Sequence, residues 1–230
     1  MRVDIQLWNY PIGNLSVSTS NDPSEAARLH FESIPWSAAL LAPSDVVTFS
    51  PPSYSPPDPA GRSISKDELF RNTLNRADAV PACIGFYHRP SGSSNTETTR
   101  LLLDSATLLF DLQPGVNGFQ GTVHGGFFAA LVDEAMGSYI YLSYRLQTDA
   151  KTHGSLPENV MDLDNVNFVT AGLNMKLKKP LPTPQVVTVT STLAELSGRK
   201  LVLHTVIEGE GGVQYAACDG TWIAVPRQRL

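Results

Sequence analysis

The sequence has 230 residues, which is enough for one substantial hydrophobic core or two small ones. Lys and Arg total 17 against 22 for Asp and Glu, so the chain has no general positive field for nucleic acid or an anionic membrane surface. We therefore expect no nucleic-acid partner, and an anionic ligand has to be bound by a local group of residues.

The first residues do not resemble a targeting segment. Asp4 and Pro11 interrupt their only apolar stretch, which therefore lacks the uninterrupted run of a secretory signal. No stretch of the sequence is long and apolar enough to span a bilayer. Cys83 and Cys218 lie far apart and in no metal or redox spacing, which favours buried thiols in a reducing compartment. We therefore expect a cytoplasmic protein with no membrane span.

Residues 1–80 differ in composition from the rest of the chain. Six prolines lie between Pro43 and Pro59, and such a stretch forms neither a helix nor a central strand. Two short helices are predicted around it, one beginning at Asp22-Pro23 and the other over residues 65–76. Because this region has too little periodic apolar sequence for its own core, it is predicted to be an extension that packs on a main domain at residues 81–230.

The pattern changes at Ala82 to one of strands around a single helix. Strands are predicted over residues 82–88 and within the apolar stretch 100–112, with a loop at 91–95 between them. One long apolar helix is predicted from His124 to about Leu146. Further strands are predicted over 164–177, 186–196, 201–208 and 213–225, with hairpin turns at 197–198 and 209–212. This order of elements indicates an α+β fold whose antiparallel sheet wraps one long central helix.

The predicted helix contains two adjacent acids in apolar surroundings. Between Phe127 and Leu142 the only charged residues are Asp133 and Glu134. A buried acid is costly unless it is paired, protonated or reached by solvent through a cleft. Because neighbouring helix residues point about 100° apart, a salt bridge or an exposed edge explains one of the two well. The other is a candidate for chemistry.

The start of this helix is unusual as well. His124 is followed by Gly125 and Gly126, and two glycines leave backbone N–H groups uncovered by any Cβ where the helix dipole adds positive potential. Such a place suits a carbonyl oxygen that becomes an oxyanion. From the two glycines alone, a flexible turn with close packing is the favoured explanation, and a capping or core role also explains His124.

Two segments resemble one known family. The string HGGFFAALVDEAMG, from His124 to Gly137, is similar to the signature of the hotdog-fold acyl-CoA thioesterases, in the branch of the bacterial phenylacetate-pathway thioesterase and the mammalian thioesterase-superfamily acyl-CoA hydrolases. The string VTAGLNMKLKKPL, from Val169 to Leu181, resembles the strand that follows the helix in that branch. The resemblance covers about residues 82–225 and implies a hotdog fold with a thioesterase site.

The resemblance also implies roles for individual residues. Asp133 matches the catalytic carboxylate, which acts as a base or as a nucleophile, and its neighbour Glu134 is the alternative acid. The N–H of Gly125, together with that of Gly126, matches the donor to the thioester oxygen. The remaining matches are His124, which shapes the turn, and Thr170, which positions water.

Substrate binding is predicted to involve Phe127, Asn174, Lys176 and Lys178. Phe127 is a candidate for lining the acyl site, although core packing explains most aromatic residues of such a helix equally well. Basic clusters such as Lys176 and Lys178 are usually solvated faces, but they also suit the phosphates of coenzyme A or of a carrier protein's phosphopantetheine arm.

The spacing of the candidate residues has a consequence for assembly. His124 and Asp133 are nine residues apart, so on one helix they are separated by about 13 Å and face nearly opposite directions. One helix therefore cannot aim both at one carbonyl. The spacing predicts a homodimer or a tetramer in which the Gly125 turn of one subunit meets Asp133 of another. The resemblance implies the same arrangement.

The leading hypothesis is hydrolysis of an acyl thioester, with acyl-CoA as the default substrate and coenzyme A present only as part of substrate and product. One alternative is a thioesterase that off-loads or edits a carrier-bound polyketide or fatty acyl chain, and another is a non-catalytic acyl-binding or scaffold module. No G-x-S-x-G elbow supports an α/β-hydrolase, and the histidines have no metal-ligand spacing. No metal or other cofactor is therefore predicted.

Overall fold

The computed structural model describes residues 23–55, 67–89 and 100–226. Asp22 and the predicted loop at residues 91–95 lie outside the described residues, as do the first two positions of the helix predicted from residue 65. The three α-helices of the described residues are α1 (Pro23–Glu32), α2 (Pro35–Leu41) and α3 (Gly125–Thr152). The strands are β1 (Val46–Phe49), β2 (Ala82–His88), β3 (Ser105–Leu112), β4 (Asn117–Phe119), β5 (Thr122–Val123), β6 (Val166–Leu177), β7 (Gln185–Ser197), β8 (Lys200–Gly209) and β9 (Val213–Pro226).

Seven of these strands form one antiparallel sheet. Its order is β1-β2-β3-β7-β8-β9-β6, and β4 pairs separately with β5. The hairpins turn at Gly198 and at Gly211 and Gly212, which have φ angles of 54°, 70° and 73° that favour glycine. The one long helix packed inside this sheet confirms the predicted hotdog fold, with strand and hairpin positions within a few residues of those expected.

Helix α3 packs on the sheet through buried apolar side chains. Leu131, Val132 and Met136 have no exposed surface, and Met136 packs against Gly220 of β9 so closely that no Cβ fits there. Tyr139 is also fully buried, and its hydroxyl donates a 2.5 Å hydrogen bond to the carbonyl of Leu103. The helix runs to Thr152, six residues beyond the expected end, and terminates before Gly154, whose φ is 64°.

The described part of residues 1–80 contains more regular structure than expected. Helix α2 begins with Pro35, and strand β1 pairs with β2 between two of the prolines, as an additional edge strand. Neither element was predicted. The helix expected over residues 65–76 is a short π-helix, Leu69–Leu74. The boundary near residue 80 stays a prediction.

Helices α1 and α2 cover the face of the sheet that is opposite to α3. Phe31 of α1 has no exposed surface and packs with Ile84, Phe86 and Leu109 in a second apolar cluster. The imidazole Nε2 of His30 also lies 3.1 Å from a carboxylate oxygen of Asp111. The second cluster therefore covers β2 and β3 and leaves the outer face of β8, β9 and β6 uncovered among the described residues.

Candidate active site

The start of α3 is shaped by His124. This residue is the N-cap, with an extended backbone (φ −61°, ψ 133°), and its Nδ1 accepts a 3.0 Å hydrogen bond from the N–H of Gly126. Its own N–H donates to the carbonyl of Val116 at 2.9 Å. At Gly118 a Cβ would lie 2.9 Å from both the Cα and the ring of His124, so this glycine allows the close approach. The capping role of His124 follows directly from these contacts.

Of the two glycines, only Gly125 has an N–H group available. The N–H of Gly126 is engaged by His124, whereas that of Gly125 donates to no acceptor among residues 23–55, 67–89 and 100–226. Gly125 is exposed, and the side chain of Leu177 approaches the position of its missing Cβ at 3.7 Å. The helix therefore begins with one free, accessible donor at its positive end.

Asp133 lies two turns further along α3, on the side that faces β6. Its Oδ1 accepts a 2.7 Å hydrogen bond from the hydroxyl of Thr170, and no cation pairs with it in the described part of the chain. Burial raises the pKa of Asp133, and the hydrogen bond from Thr170 opposes that rise. The carboxylate is only partly buried, so solvent or a ligand has access to its second oxygen.

Glu134 has a different environment, although it is the next residue. Only 9% of it is exposed, and its Oε1 accepts a 2.5 Å hydrogen bond from the hydroxyl of Ser53, a fully buried residue. Burial raises the pKa of Glu134 to about 7, against a lowering by the Ser53 hydrogen bond. Glu134 is thus enclosed, which favours Asp133 as the accessible acid of the pair.

One subunit does not bring the free amide and Asp133 together. Gly125 and Asp133 are eight residues apart on a continuous helix, which corresponds to about 12 Å along its axis. A thioester carbonyl that accepts from this N–H is therefore too far from the same subunit's carboxylate. The geometry agrees with the expectation of a site between subunits, which stays a prediction.

The predicted substrate-binding residues lie in different places. Phe127 is partly buried on α3, with its ring centroid 6.5 Å from that of Phe70. Asn174 pairs with Asp219 and Lys176 with Ala217 in the register of β6 and β9, on the outer face of the sheet. Thr170 faces Asp133 on the inner side, and the β-bulge between Thr170 and Gly172 changes which residues point inward.

Lys178 directly follows Leu177, whose side chain lies beside Gly125 at the start of α3. The segment after Leu177 runs beside the turn before α3, because the N–H of Val123 donates to the carbonyl of Leu181 at 2.9 Å. Lys178 is exposed, and its ammonium group donates to the side chain of Gln214. Phe119, 82% exposed, lies in the short hairpin of β4 and β5 on the other side of this turn.

Sequence reasoning missed the residues that surround Glu134. Ser53 follows two prolines, and nothing in its sequence context points to a contact with a residue 81 positions away.

The described residues contain no group of three or more His, Cys, Asp and Glu side chains that could hold a metal ion. None of the helices in the described ranges has the length and apolarity needed to cross a membrane.

Comparison with known proteins gives a family match over the same part of the chain. A family model described as "Thioesterase superfamily" matches residues 120–216, from the turn before α3 into β9. Verlamelin biosynthesis protein B of Lecanicillium sp is 33% identical over 178 residues, which cover 72% of this chain and 77% of that protein. Acyl-coenzyme A thioesterase THEM4 of Bos taurus is 34% identical over 122 residues, covering 53% of this chain and 41% of that protein.

Solved structures resemble the chain more distantly. A hypothetical thioesterase from Streptococcus pneumoniae TIGR4, crystallised with coenzyme A, matches with a TM-score of 0.42 at 15% identity. The match covers 58% of this chain and 86% of that one. The family match therefore rests on the sequence comparisons, and it contains the segment with Gly125, Asp133 and Thr170.

Proposed function

This chain belongs to the thioesterase superfamily, and we propose that it hydrolyses an acyl thioester with Asp133 as the catalytic carboxylate. One observation carries the proposal. Of two adjacent acids on the buried helix, only Asp133 is accessible. The hydroxyl of Thr170 orients its carboxylate, and no cation pairs with it among the described residues. A carboxylate in that condition suits a base or a nucleophile.

The proposed reaction uses the N–H of Gly125, the carboxylate of Asp133 and one water molecule. The thioester oxygen accepts from the free N–H of Gly125, which stabilises negative charge as it develops on that oxygen. Asp133 takes a proton from water while the water oxygen attacks the carbonyl carbon. In the alternative, the carboxylate of Asp133 attacks that carbon itself, and water then hydrolyses the acyl–Asp133 anhydride and supplies the proton for the thiolate. The tetrahedral species then collapses, the C–S bond breaks, and the thiolate leaves and takes up the proton. Burial raises the pKa of Asp133 towards the working pH, which makes the ionised group a stronger base.

The proposed site lies between two copies of the chain. The free amide and Asp133 belong to one helix but stand about 12 Å apart, so each active site takes its oxyanion donor from one subunit and its carboxylate from the other. Strand β6, which bears Thr170, is the edge of the sheet next to Asp133. We therefore propose a homodimer or a tetramer as the active form.

The default substrate is an acyl-CoA in the cytoplasm. The relative THEM4 is named as an acyl-coenzyme A thioesterase, and Lys178 near the start of α3 suits a phosphate of the coenzyme. Phe127 is the proposed contact of the acyl group, whereas Asn174 and Lys176 lie on the outer face of the sheet, turned away from this site by the bulge after Thr170. Because the other relative is a biosynthesis protein, a carrier-bound acyl chain is the second candidate. Comparison of kcat/KM for one acyl group on coenzyme A and on a carrier protein separates the two.

The experiment is release of thiol from a panel of acetyl, octanoyl, palmitoyl and phenylacetyl thioesters. Asp133→Asn keeps the shape of the side chain and is expected to lower kcat by about a thousandfold, within the usual range for a lost general base. Asp219→Asn is the matched control, since Asp219 is an exposed acid on the outer face that pairs with His204. An Asp133→Asn enzyme as active as this control would leave only the non-catalytic acyl-binding or scaffold reading.

A further inference from the structure

Glu134 and Ser53 form a buried contact that the proposed hydrolysis does not use. The two residues are 81 positions apart, and their 2.5 Å hydrogen bond joins α3 to the short 3₁₀-helix Pro52–Tyr54. Ser53 has no exposed surface, and Glu134 has 9%. Burial of a carboxyl group costs free energy, and the hydrogen bond from Ser53 offsets part of that cost. The contact fixes the position of the 3₁₀-helix relative to α3.

Arg71 joins that 3₁₀-helix to the π-helix Leu69–Leu74. Its guanidinium donates to the carbonyls of Ser55 and, at 2.9 Å, of Pro52, and it lies 3.7 Å from the carboxylate of Asp67. A planar group with several donors fixes the relative position of two backbone segments. We refer to these two helices together, Pro52–Tyr54 and Leu69–Leu74, as the N-terminal clamp.

The clamp presents aromatic rings to the beginning of α3. Phe70 is 5% exposed, and its ring centroid lies 6.5 Å from that of Tyr54 and 6.5 Å from that of Phe127. Phe127 stands two residues after the free amide of Gly125 and one turn before Ala130. The apolar surface of the clamp therefore meets α3 at Phe127, one turn before the small residue Ala130.

A strip of small residues separates the two acids on α3. Ala130 and Gly137 are each three or four positions from both Asp133 and Glu134, so they lie on the helix surface between them. Both are only partly buried. One side of this strip is bounded by Thr170, which is bonded to Asp133, and the other by the clamp, which is bonded to Glu134.

We propose that the N-terminal clamp is one wall of the acyl-binding groove, that Phe70 in this wall and Phe127 beside it on α3 determine which acyl groups fit, and that Glu134 is the positioning residue that holds the wall through Ser53. The inference rests on the proposed thioesterase function. An acyl chain whose carbonyl lies at Asp133 has the small-residue strip as its floor and the clamp's rings at its side. Apolar contact of this kind contributes about 0.8 kcal/mol per buried methylene, so the wall favours some chain lengths over others.

The test uses binding rather than turnover. Thioethers of coenzyme A with ethyl, octyl and hexadecyl groups resist hydrolysis, and calorimetry gives their Kd values for the full-length protein. Phe70→Leu, Ser53→Ala and Glu134→Leu are expected to change the ratio of the hexadecyl to the ethyl Kd by about tenfold or more. Glu134→Gln retains an acceptor for Ser53 and is expected to restore a ratio near that of the wild type. Ser33→Ala, at an exposed serine outside the clamp, is the matched control.

If Phe70→Leu, Ser53→Ala and Glu134→Leu weaken all three probes by one common factor, or leave the ratio as in the wild type, the inference is overturned. Phe70→Leu decides the question if Ser53→Ala or Glu134→Leu fails to fold, because it replaces one large apolar side chain with another. A wild-type protein that binds none of the thioethers removes the proposed function, and the inference with it. Binding that is equally strong at every chain length removes the inference alone.

Discussion

Asp133 and Glu134 are adjacent on α3, but they lie in contrasting environments on two sides of the helix. On the side of β6, Asp133 is partly open and shares one hydrogen bond with Thr170. On the side of the N-terminal clamp, Glu134 is enclosed against Ser53, and burial raises its pKa to about 7. The residues around each carboxyl group therefore determine what that group is suited to do. The open acid is suited to react, and the enclosed acid is suited to hold two parts of the chain together.

After Asp133→Asn, the largest loss of activity is expected when the proposed oxyanion donor, the N–H of Gly125, is removed. Gly125→Pro lacks the N–H but fits the first position of a helix, and His124 already has the extended backbone that a following proline needs. We expect kcat to fall by about a hundredfold or more, as for the loss of one oxyanion donor. Measured by thiol release, Gly125→Ala is expected to lose at least tenfold less, because it keeps the N–H. Equal losses of kcat in the two variants would show that the N–H of Gly125 does not contribute to catalysis.

The enclosed side is tested through the pH dependence of stability. The pKa of Glu134 is about 7 in the folded protein against an ordinary value of 4.5, so its contribution is fully present below pH 4.5 and is lost as the pH rises through 7. Glu134→Gln should remove this loss, which amounts to roughly 3 kcal/mol. Urea unfolding across this pH range measures it, with the exposed Glu195→Gln as control. If the free energy of unfolding of both variants depends on pH as in the wild type, Glu134 does not have the raised pKa.

Thr170→Val sharpens the description of the open side with a smaller effect. The substitution keeps the branched shape but removes the donor to Asp133, and we expect kcat/KM to fall by about tenfold. The hydrogen bond from Thr170 lowers the pKa of Asp133, so its loss moves the acid limb of the pH–rate profile to higher pH. Thr192→Val, on the exposed outer face of β7, is the control. An unmoved acid limb would mean that Thr170 does not act on this carboxylate.

Local patterns predicted the main domain well. The strands β2 and β6 to β9 and the hairpin glycines are encoded by alternation and by turn residues close in sequence, and the apolar run specified α3. The capping role of His124 was left open, and its hydrogen bond to Gly126 answers it. These features depend on neighbours within a few positions.

Features that depend on distant contacts were not predictable. Strand β1 exists because it pairs with β2, and Ser53 meets Glu134 across 81 positions. Simple alternation along β6 places Asn174 and Lys176 on the same face as Thr170, whereas the bulge after Thr170 turns them to the outer face. A single extra residue in a strand has no clear sequence signal, so the orientation of this segment had to come from the structure.

We propose that the amide of Gly125 in one subunit acts together with Asp133 of the other subunit, and complementation between two variants tests this most directly. Asp133→Asn and Gly125→Pro proteins, each inactive alone, are unfolded, mixed in equal amounts and refolded together, and thiol release is measured. A shared site predicts recovery of about a quarter of the wild-type activity, because half of the dimers are mixed and each mixed dimer has one intact site. A mixture that stays as inactive as its two components would contradict the claim.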